Sequence, residues 1–309
     1  MNETFQSVIP IFLIAFLGSL LKRKWLKSVD FWSELEKLSF YILLPAVLFE
    51  NIIQIPKGVF NLFNLIISLL ISISVITIGL IYFQYKFKYD KKQFTSVFQG
   101  CVRFNNYLFL ALSEALIGDV GIGIASIVSP YMVIFVNAIS VIMFNYYIRE
   151  NQTTKFKQIY LVLSSFLKNP VILASLLGLV FLYYDIKINT GILKFLTHLS
   201  SAGLTLSILI IGASLQFNII NSYLKQIVLT SLVKLTIFPF ITYFIMYLMH
   251  VDTKEQFIGI LFSSMPCSPT ASILSKQLKG DSETMSGIIT FSTILSIFTI
   301  SSYLYWLPQ

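Results

Sequence analysis

Charge is scarce in this chain. Only 12% of its 309 residues are charged, about half the ~25% of an ordinary soluble protein. Cysteine and histidine each occur only twice, which leaves no disulfide framework and no Cys/His metal spacing. His198 and His250 are not placed as a metal pair, and no Gly-x-Ser-x-Gly, His-Glu-x-x-His or Walker pattern is present. An enzyme and an ATP-driven pump are therefore not expected, and neither is a cofactor. Long polar stretches are missing too, so no room remains for a soluble domain.

What is present is apolar: 56% of residues are hydrophobic. Runs of roughly 17–25 apolar residues recur along the whole length, the span of a transmembrane helix. Ten spans are expected: Phe5–Leu21, Leu35–Ile53, Leu62–Tyr85, Phe94–Ile117, Gly121–Ile148, Ile159–Tyr184, Leu193–Gln216, Leu224–Met249, Glu255–Leu278 and Thr284–Leu307. The net charge of +8 belongs to loops and orients the protein; it does not point to nucleic acid. Odd-numbered connections carry most of the lysine and arginine, including Lys22-Arg23-Lys24, Lys86, Lys88, Lys91 and Lys92. The positive-inside rule makes these cytoplasmic and both termini external, in a multi-pass cell-membrane protein. The first apolar run precedes its basic cluster, the reverse of a cleavable signal, and is expected to be retained.

The sequence repeats itself. Ser113-Glu-Ala-Leu-Ile-Gly-Asp119 matches Ser275-Lys-Gln-Leu-Lys-Gly-Asp281 as S-x-x-L-x-G-D, at an offset of 162 residues. A single membrane domain, 1–309, would then hold a first five-helix repeat (1–148), a short cytoplasmic linker (149–158) and a second repeat (159–309). Five spans per half invert one half relative to the other.

Two places in the spans resist a continuous apolar helix. Met265-Pro-Cys-Ser-Pro-Thr-Ala271 carries two prolines three residues apart, each lacking an N–H and clashing with the preceding turn. Shifted by 162, it falls on Arg103-Phe-Asn-Asn-Tyr-Leu-Phe109. Broken backbone at membrane depth is tolerated where protein or an aqueous cavity satisfies it. Arg103 has two readings: an anion clamp that holds a carboxylate by its planar fork, or a structural ion pair or snorkelling side chain. Asn105 and Asn106 can contact substrate or cap half-helices. Pro266, Cys267, Ser268, Pro269 and Thr270 supply the opposite break, with Cys267 as a small buried residue. Pro45 is expected to break the second span midway. With Gly212 and Ser214 it would form a wall facing the broken pair, although close helix packing also suits Gly212 and Ser214. For Glu50 and Glu114 hydration at the interface is the expectation and proton coupling the alternative; for Lys168 and Lys234 it is snorkelling or contact with helix carbonyls, with a substrate or ion-pair role as the alternative.

Together these residues resemble the auxin efflux carrier family, which includes malate-permease-like proteins. The matching pieces run in order through Tyr41-Ile-Leu-Leu-Pro45, Arg103-Phe-Asn-Asn106, Lys168-Asn-Pro-Val171, Ile211-Gly-Ala-Ser-Leu215, Val233-Lys-Leu235 with Pro239, Met265–Ala271 with Gly280-Asp281, and Ser292-Thr-Ile-Leu-Ser296. The resemblance implies an all-α polytopic fold like that of bile-acid symporters and sodium/proton antiporters. Ten helices form two inverted five-helix repeats; spans one, two, six and seven form a scaffold, and broken helices four and nine cross beside the substrate. It departs from many members at Leu110-Ala-Leu112, where they carry Gly-x-Pro, and it lacks the long central loop of the plant exporters. The implied function is a secondary carrier for a small organic anion, such as a dicarboxylate like malate or an auxin-like acid, working by an elevator-type alternating-access mechanism. Sodium or proton coupling is the alternative, and a membrane receptor without transport a remote one. The bilayer is the expected environment, and a homodimer is compatible with it.

Overall fold

The computed structural model describes residues 2–55, 62–148, 169–217 and 223–306. Among them every regular element is a helix: α1 Asn2–Lys24, α2 Val29–Leu38, α3 Leu44–Ile53, α4 Phe63–Phe87, α5 Lys91–Val102, α6 Asn106–Tyr147, α7 Pro170–Tyr184, α8 Thr190–Ser214, α9 Leu224–Leu232, α10 Phe238–Leu248, α11 Thr253–Ser263, α12 Thr270–Gln277 and α13 Ser282–Trp306. Six stretches of the described residues are long and apolar enough to cross a membrane: Gln6–Lys24, Phe63–Phe87, Lys91–Tyr147 (taken across its interruption), Thr190–Ser214, Leu224–Leu248 and Ser282–Tyr303. Pro170–Tyr184 is a shorter apolar helix. Surface residues on these helices are apolar: Phe16 is 61% exposed, Ile78 66% and Phe240 72%. Such a surface suits hydrocarbon and not water. The linker 149–158 and Lys168 lie outside the described residues.

Pro10 and Pro130 lie inside α1 and α6, and two further prolines follow π-turns without ending their helices. The expected break at Pro45 is absent: α2 runs into α3 through a π-turn at Ser39–Leu43, where Leu44 N–H reaches the Ser39 carbonyl. The wider i→i−5 turn takes up the proline without ending the helix. Pro239 follows the same kind of turn, Val233–Ile237, between α9 and α10. A proline at 239 leaves the carbonyl four residues back, that of Leu235, without its usual amide. Tyr303 supplies the donor, its hydroxyl lying 2.7 Å from the Leu235 oxygen. Tyr303→Phe should orphan that carbonyl and cost about 1–3 kcal/mol, read as a lower thermal midpoint in detergent.

Element boundaries repeat at the sequence offset. Lys91 opens α5 and Thr253 opens α11, and the interruption after Val102 matches the one after Ser263. Both S-x-x-L-x-G-D motifs end a half-helix. Gly118, with φ +69°, turns α6 between its two limbs. In the second motif Lys279 takes the left-handed position (φ +61°), while Gly280 N–H closes back on the Ser275 carbonyl at 2.8 Å. This is the helix-ending pattern of a Schellman motif.

The chain forms two compact units, each drawing on both halves of the sequence. One comprises the chain up to Leu62, Tyr107–Tyr131 and the segment ending at Ser214; the other comprises Phe63–Asn106 and the segments beginning at Met132 and Leu215. In the first unit, α1 and α8 approach so closely that a Cβ on Gly212 would lie 1.6 Å from the Ala15 carbonyl oxygen, and one on Gly18 1.9 Å from that of Leu209. Backbone-to-backbone contact of this kind needs small residues. Ser39 and Ser207 share a hydrogen bond, and Trp32 packs on Ile210 and Ala213 while its indole N–H donates to the Leu26 carbonyl. In the second unit, Asn64 Nδ2 donates to the Met249 carbonyl, and Gly259 lies against Met246. Many mid-helix hydroxyls, such as those of Ser72, Ser140, Ser231 and Thr242, bond back to the carbonyl four residues earlier. Those hydroxyls are thereby satisfied within their own helix.

Candidate functional site

Pro266 and Pro269 end one helix and set the start of the next. Ser264 N–H bonds the Ile260 carbonyl and Met265 N–H that of Phe262, which closes α11. The chain stays non-helical to Ser268 before α12 begins at Thr270. The first turn of α12 tightens through Ala271 N–H to the Ser268 carbonyl (3.0 Å) and Ser272 N–H to that of Pro269 (3.1 Å). The second interruption is Arg103–Asn105, where α5 gives way to extended backbone at Arg103 (φ −74°, ψ 145°). The breaks meet. Asn105 N–H donates to the Pro266 carbonyl at 2.9 Å, so each interruption supplies a partner that the other lacks. The two interruptions matched by the repeat are thus in backbone contact within the second unit, in the way expected for irregular chain inside hydrocarbon.

Side chains reinforce the junction. Cys267 N–H donates to Ser292 Oγ on α13 at 3.3 Å, and Cys267 Sγ lies 3.8 Å from the Gln99 carbonyl on α5. Ser268 and Thr270 hydroxyls pair with each other at 2.9 Å. Cys267 and Ala271 pack into an apolar cluster with Ile227, Met285 and Ile288. The Phe104 and Phe262 rings sit 4.5 Å apart on the same unit. Both cysteines are free and buried.

Among the described residues Arg103 is not paired with an acid, and it does not snorkel. Its guanidinium donates to Asn137 Oδ1 on α6 (2.9 Å) and to Gln99 Oε1 on α5 (3.3 Å), while Gln99 Nε2 donates to Ser275 Oγ on α12 (3.0 Å). Two amide oxygens therefore hold a cation whose charge they do not neutralise. Lys234 differs from its expectation more sharply. It does not snorkel: it is 0% exposed in the π-turn Val233–Ile237, its Nζ has no hydrogen-bond partner among the described residues, and it lies 4.3 Å from the Phe238 ring centroid. A cation–π contact offsets part of the burial penalty, about 2 kcal/mol when desolvated. The described carboxylates of this unit sit at helix starts: Asp90 before α5, Asp252 and Glu255 at α11, Asp281 and Glu283 at α13.

Asn106 completes the arrangement. Both ends of its amide are shielded and without a protein partner among the described residues, an uncommon condition for a buried polar group. Asn105 is fully buried. Thus Arg103, Asn105, Asn106, Pro266, Cys267, Ser268, Pro269 and Thr270 all lie in the second unit. Pro45, Gly212 and Ser214 belong to the first; Gly212 packs on α1, and Ser214 Oγ bonds back to the Ile211 carbonyl at 2.7 Å. Glu50 is not hydrated as expected. It is 6% exposed and accepts from Gln54 Nε2 and, at 3.0 Å, from Thr197 Oγ1. Glu114 is exposed. Gln99 and Asn137, the partners of Arg103, are not singled out by the sequence; the i, i+4 spacing of Gln99 and Arg103 is the available signal for the first.

Long apolar helices around a pair of hydrogen-bonded interruptions define a multi-pass membrane transport protein. A family model described as membrane transport protein matches residues 4–304, and the chain belongs to that family, the one containing the auxin efflux carriers. No curated protein matches the chain.

Proposed function

We propose that the protein is a secondary carrier for a small organic anion, such as a dicarboxylate, bound beside the junction of the two interruptions. The observation that carries this reading is that two basic side chains, half-buried Arg103 and fully buried Lys234, contact only neutral groups among the described residues. Unneutralised charge in a low-dielectric interior is costly, so such groups await a counter-ion or a change of protonation. A carboxylate can accept paired hydrogen bonds from the Arg103 fork, and the Asn106 amide offers further donors.

The arrangement is ten spans in two inverted repeats, counting α5 with the first limb of α6 as the fourth and α11 with α12 as the ninth. The shared boundary offset and the matched interruptions support it. Transport proceeds by alternating access, with the unit that holds the junction moving as the carrier; the separation of the chain into two units favours this scheme. Both termini face outward, as the loop charge requires.

Purified protein screened by thermal shift against mono- and dicarboxylates, amino acids and indole acids, at two sodium concentrations, tests the reading. A carboxylate should raise the thermal midpoint in a concentration-dependent way, as any ligand selective for the folded state does. Stabilisation by cationic or neutral solutes alone would overturn the anion assignment.

A further inference from the structure

Away from the junction, the second unit carries an apolar cavity of about 400 Å³ between α4, α5, α9 and α10. Its outer rim includes Val75, Phe83, Leu229 and Ile237, all substantially exposed, so the cavity opens on the surface that faces hydrocarbon. Its inner wall reaches Cys101 and the π-turn residue Val233. The lining is not uniform along its length. Tyr89, Gln93, Lys225 and Gln226 gather at one end, where α4 finishes and α5 and α9 begin.

That end is also the basic end. The connection between α4 and α5 carries Lys86, Lys88, Lys91 and Lys92, and Lys225 lines the cavity itself. The loop is held in shape by Asp90, whose carboxylate caps α5 through the Lys92 and Gln93 amides, and by Gln84 Nε2 on the Tyr89 carbonyl. Asp90 is therefore engaged with backbone, while Asp281 and Glu283 interact with Tyr223. Lys225 is exposed and makes no ion pair among the described residues.

An apolar slot with Lys225 at one end, beside a lysine-rich connection, matches an amphiphile with an acyl tail and an anionic head. We infer that this cavity is a binding site for an anionic glycerophospholipid of the bilayer, one acyl chain lying along α4 and α9 and the phosphate held at Lys225. The charge complementarity selects the anionic headgroup, and the apolar lining selects the chain. The site is separate from the transported substrate and does not depend on which solute is carried.

Gly79 provides a structural handle. It lines the cavity, and a Cβ built on it meets nothing within 4 Å, so a side chain there enters open space. The test is native mass spectrometry of the full-length protein, delipidated and exposed to phosphatidylglycerol or phosphatidylethanolamine with identical acyl chains. Wild type should retain phosphatidylglycerol over phosphatidylethanolamine by ~fivefold or more, the effect of at least one lysine at the membrane surface. Lys225→Gln should reduce that preference while leaving chain binding in place. Gly79→Phe should lower retention of both lipids, in protein whose thermal midpoint remains near wild type. Equal retention of the two headgroups by wild type, or undiminished retention in folded Gly79→Phe, would overturn the assignment.

Discussion

Replacing Arg103 by alanine should abolish uptake of the anionic substrate into proteoliposomes. The side chain also ties α5 to the second limb of α6 through Gln99 and Asn137, so two losses must be separated. Removing the guanidinium leaves two buried amide oxygens without a donor, at about 1–3 kcal/mol each where water cannot reach them. The variant should therefore be less stable as well as inactive. Asn137→Ala separates the two effects. It removes one structural acceptor but leaves the cation in place, so binding of the carboxylate should survive at reduced thermal stability. Arg103→Lys should recover part of the affinity, because an ammonium keeps the charge but loses the planar fork that holds a carboxylate by two bonds. If Asn137→Ala abolished binding as completely as Arg103→Ala, the arginine would be a structural tie and not a clamp.

Lys234→Met should move stability and function in opposite directions. Methionine fills nearly the same volume as the lysine stem, and replacing buried ionic groups with well-packed apolar ones is often stabilising by about 1–4 kcal/mol. The cation–π contact with Phe238, worth about 2 kcal/mol, offsets part of the several kcal/mol spent in removing an ammonium from water, so a net gain is expected on losing the charge. The thermal midpoint should rise. Affinity for the anion should fall, because the amine that would pair with the carboxylate is gone. Lys234→Arg should not restore wild-type behaviour, since the larger fork does not fit a fully enclosed position without displacing its neighbours. A Lys234→Met protein that is destabilised and transports normally would remove the lysine from the functional account.

The sequence marked the junction well because proline and mid-span arginine are local signals. Two prolines three residues apart cannot lie in one helix, and the interruption falls within a residue or two of where they sit. The offset of 162 carried that position to Arg103–Asn105, where the second interruption lies. Pro45 shows the limit of the same rule. Whether a proline breaks a helix or is absorbed by a π-turn depends on the packing around it, and Tyr303, which satisfies the carbonyl freed by Pro239, is remote in sequence. Lys234 was misjudged for a related reason. A π-turn shifts the angular register of the residues within and after it, so a 3.6-residue period does not show which face a side chain takes. Asn137 was invisible as a partner for Arg103 because 34 residues separate them. Glu50 looked interfacial by its place in the span, but Gln54 and Thr197 enclose it.

The most direct test of the anion site at the junction is carboxylate counterflow. Proteoliposomes loaded with unlabelled dicarboxylate are diluted into labelled solute, with wild type compared against Arg103→Ala and Lys234→Met. The expected result is rapid accumulation by wild type, none by Arg103→Ala, and a higher half-saturating concentration for Lys234→Met. Wild-type counterflow by Arg103→Ala, at matched protein incorporation, would contradict the placement of the anion beside the two interruptions.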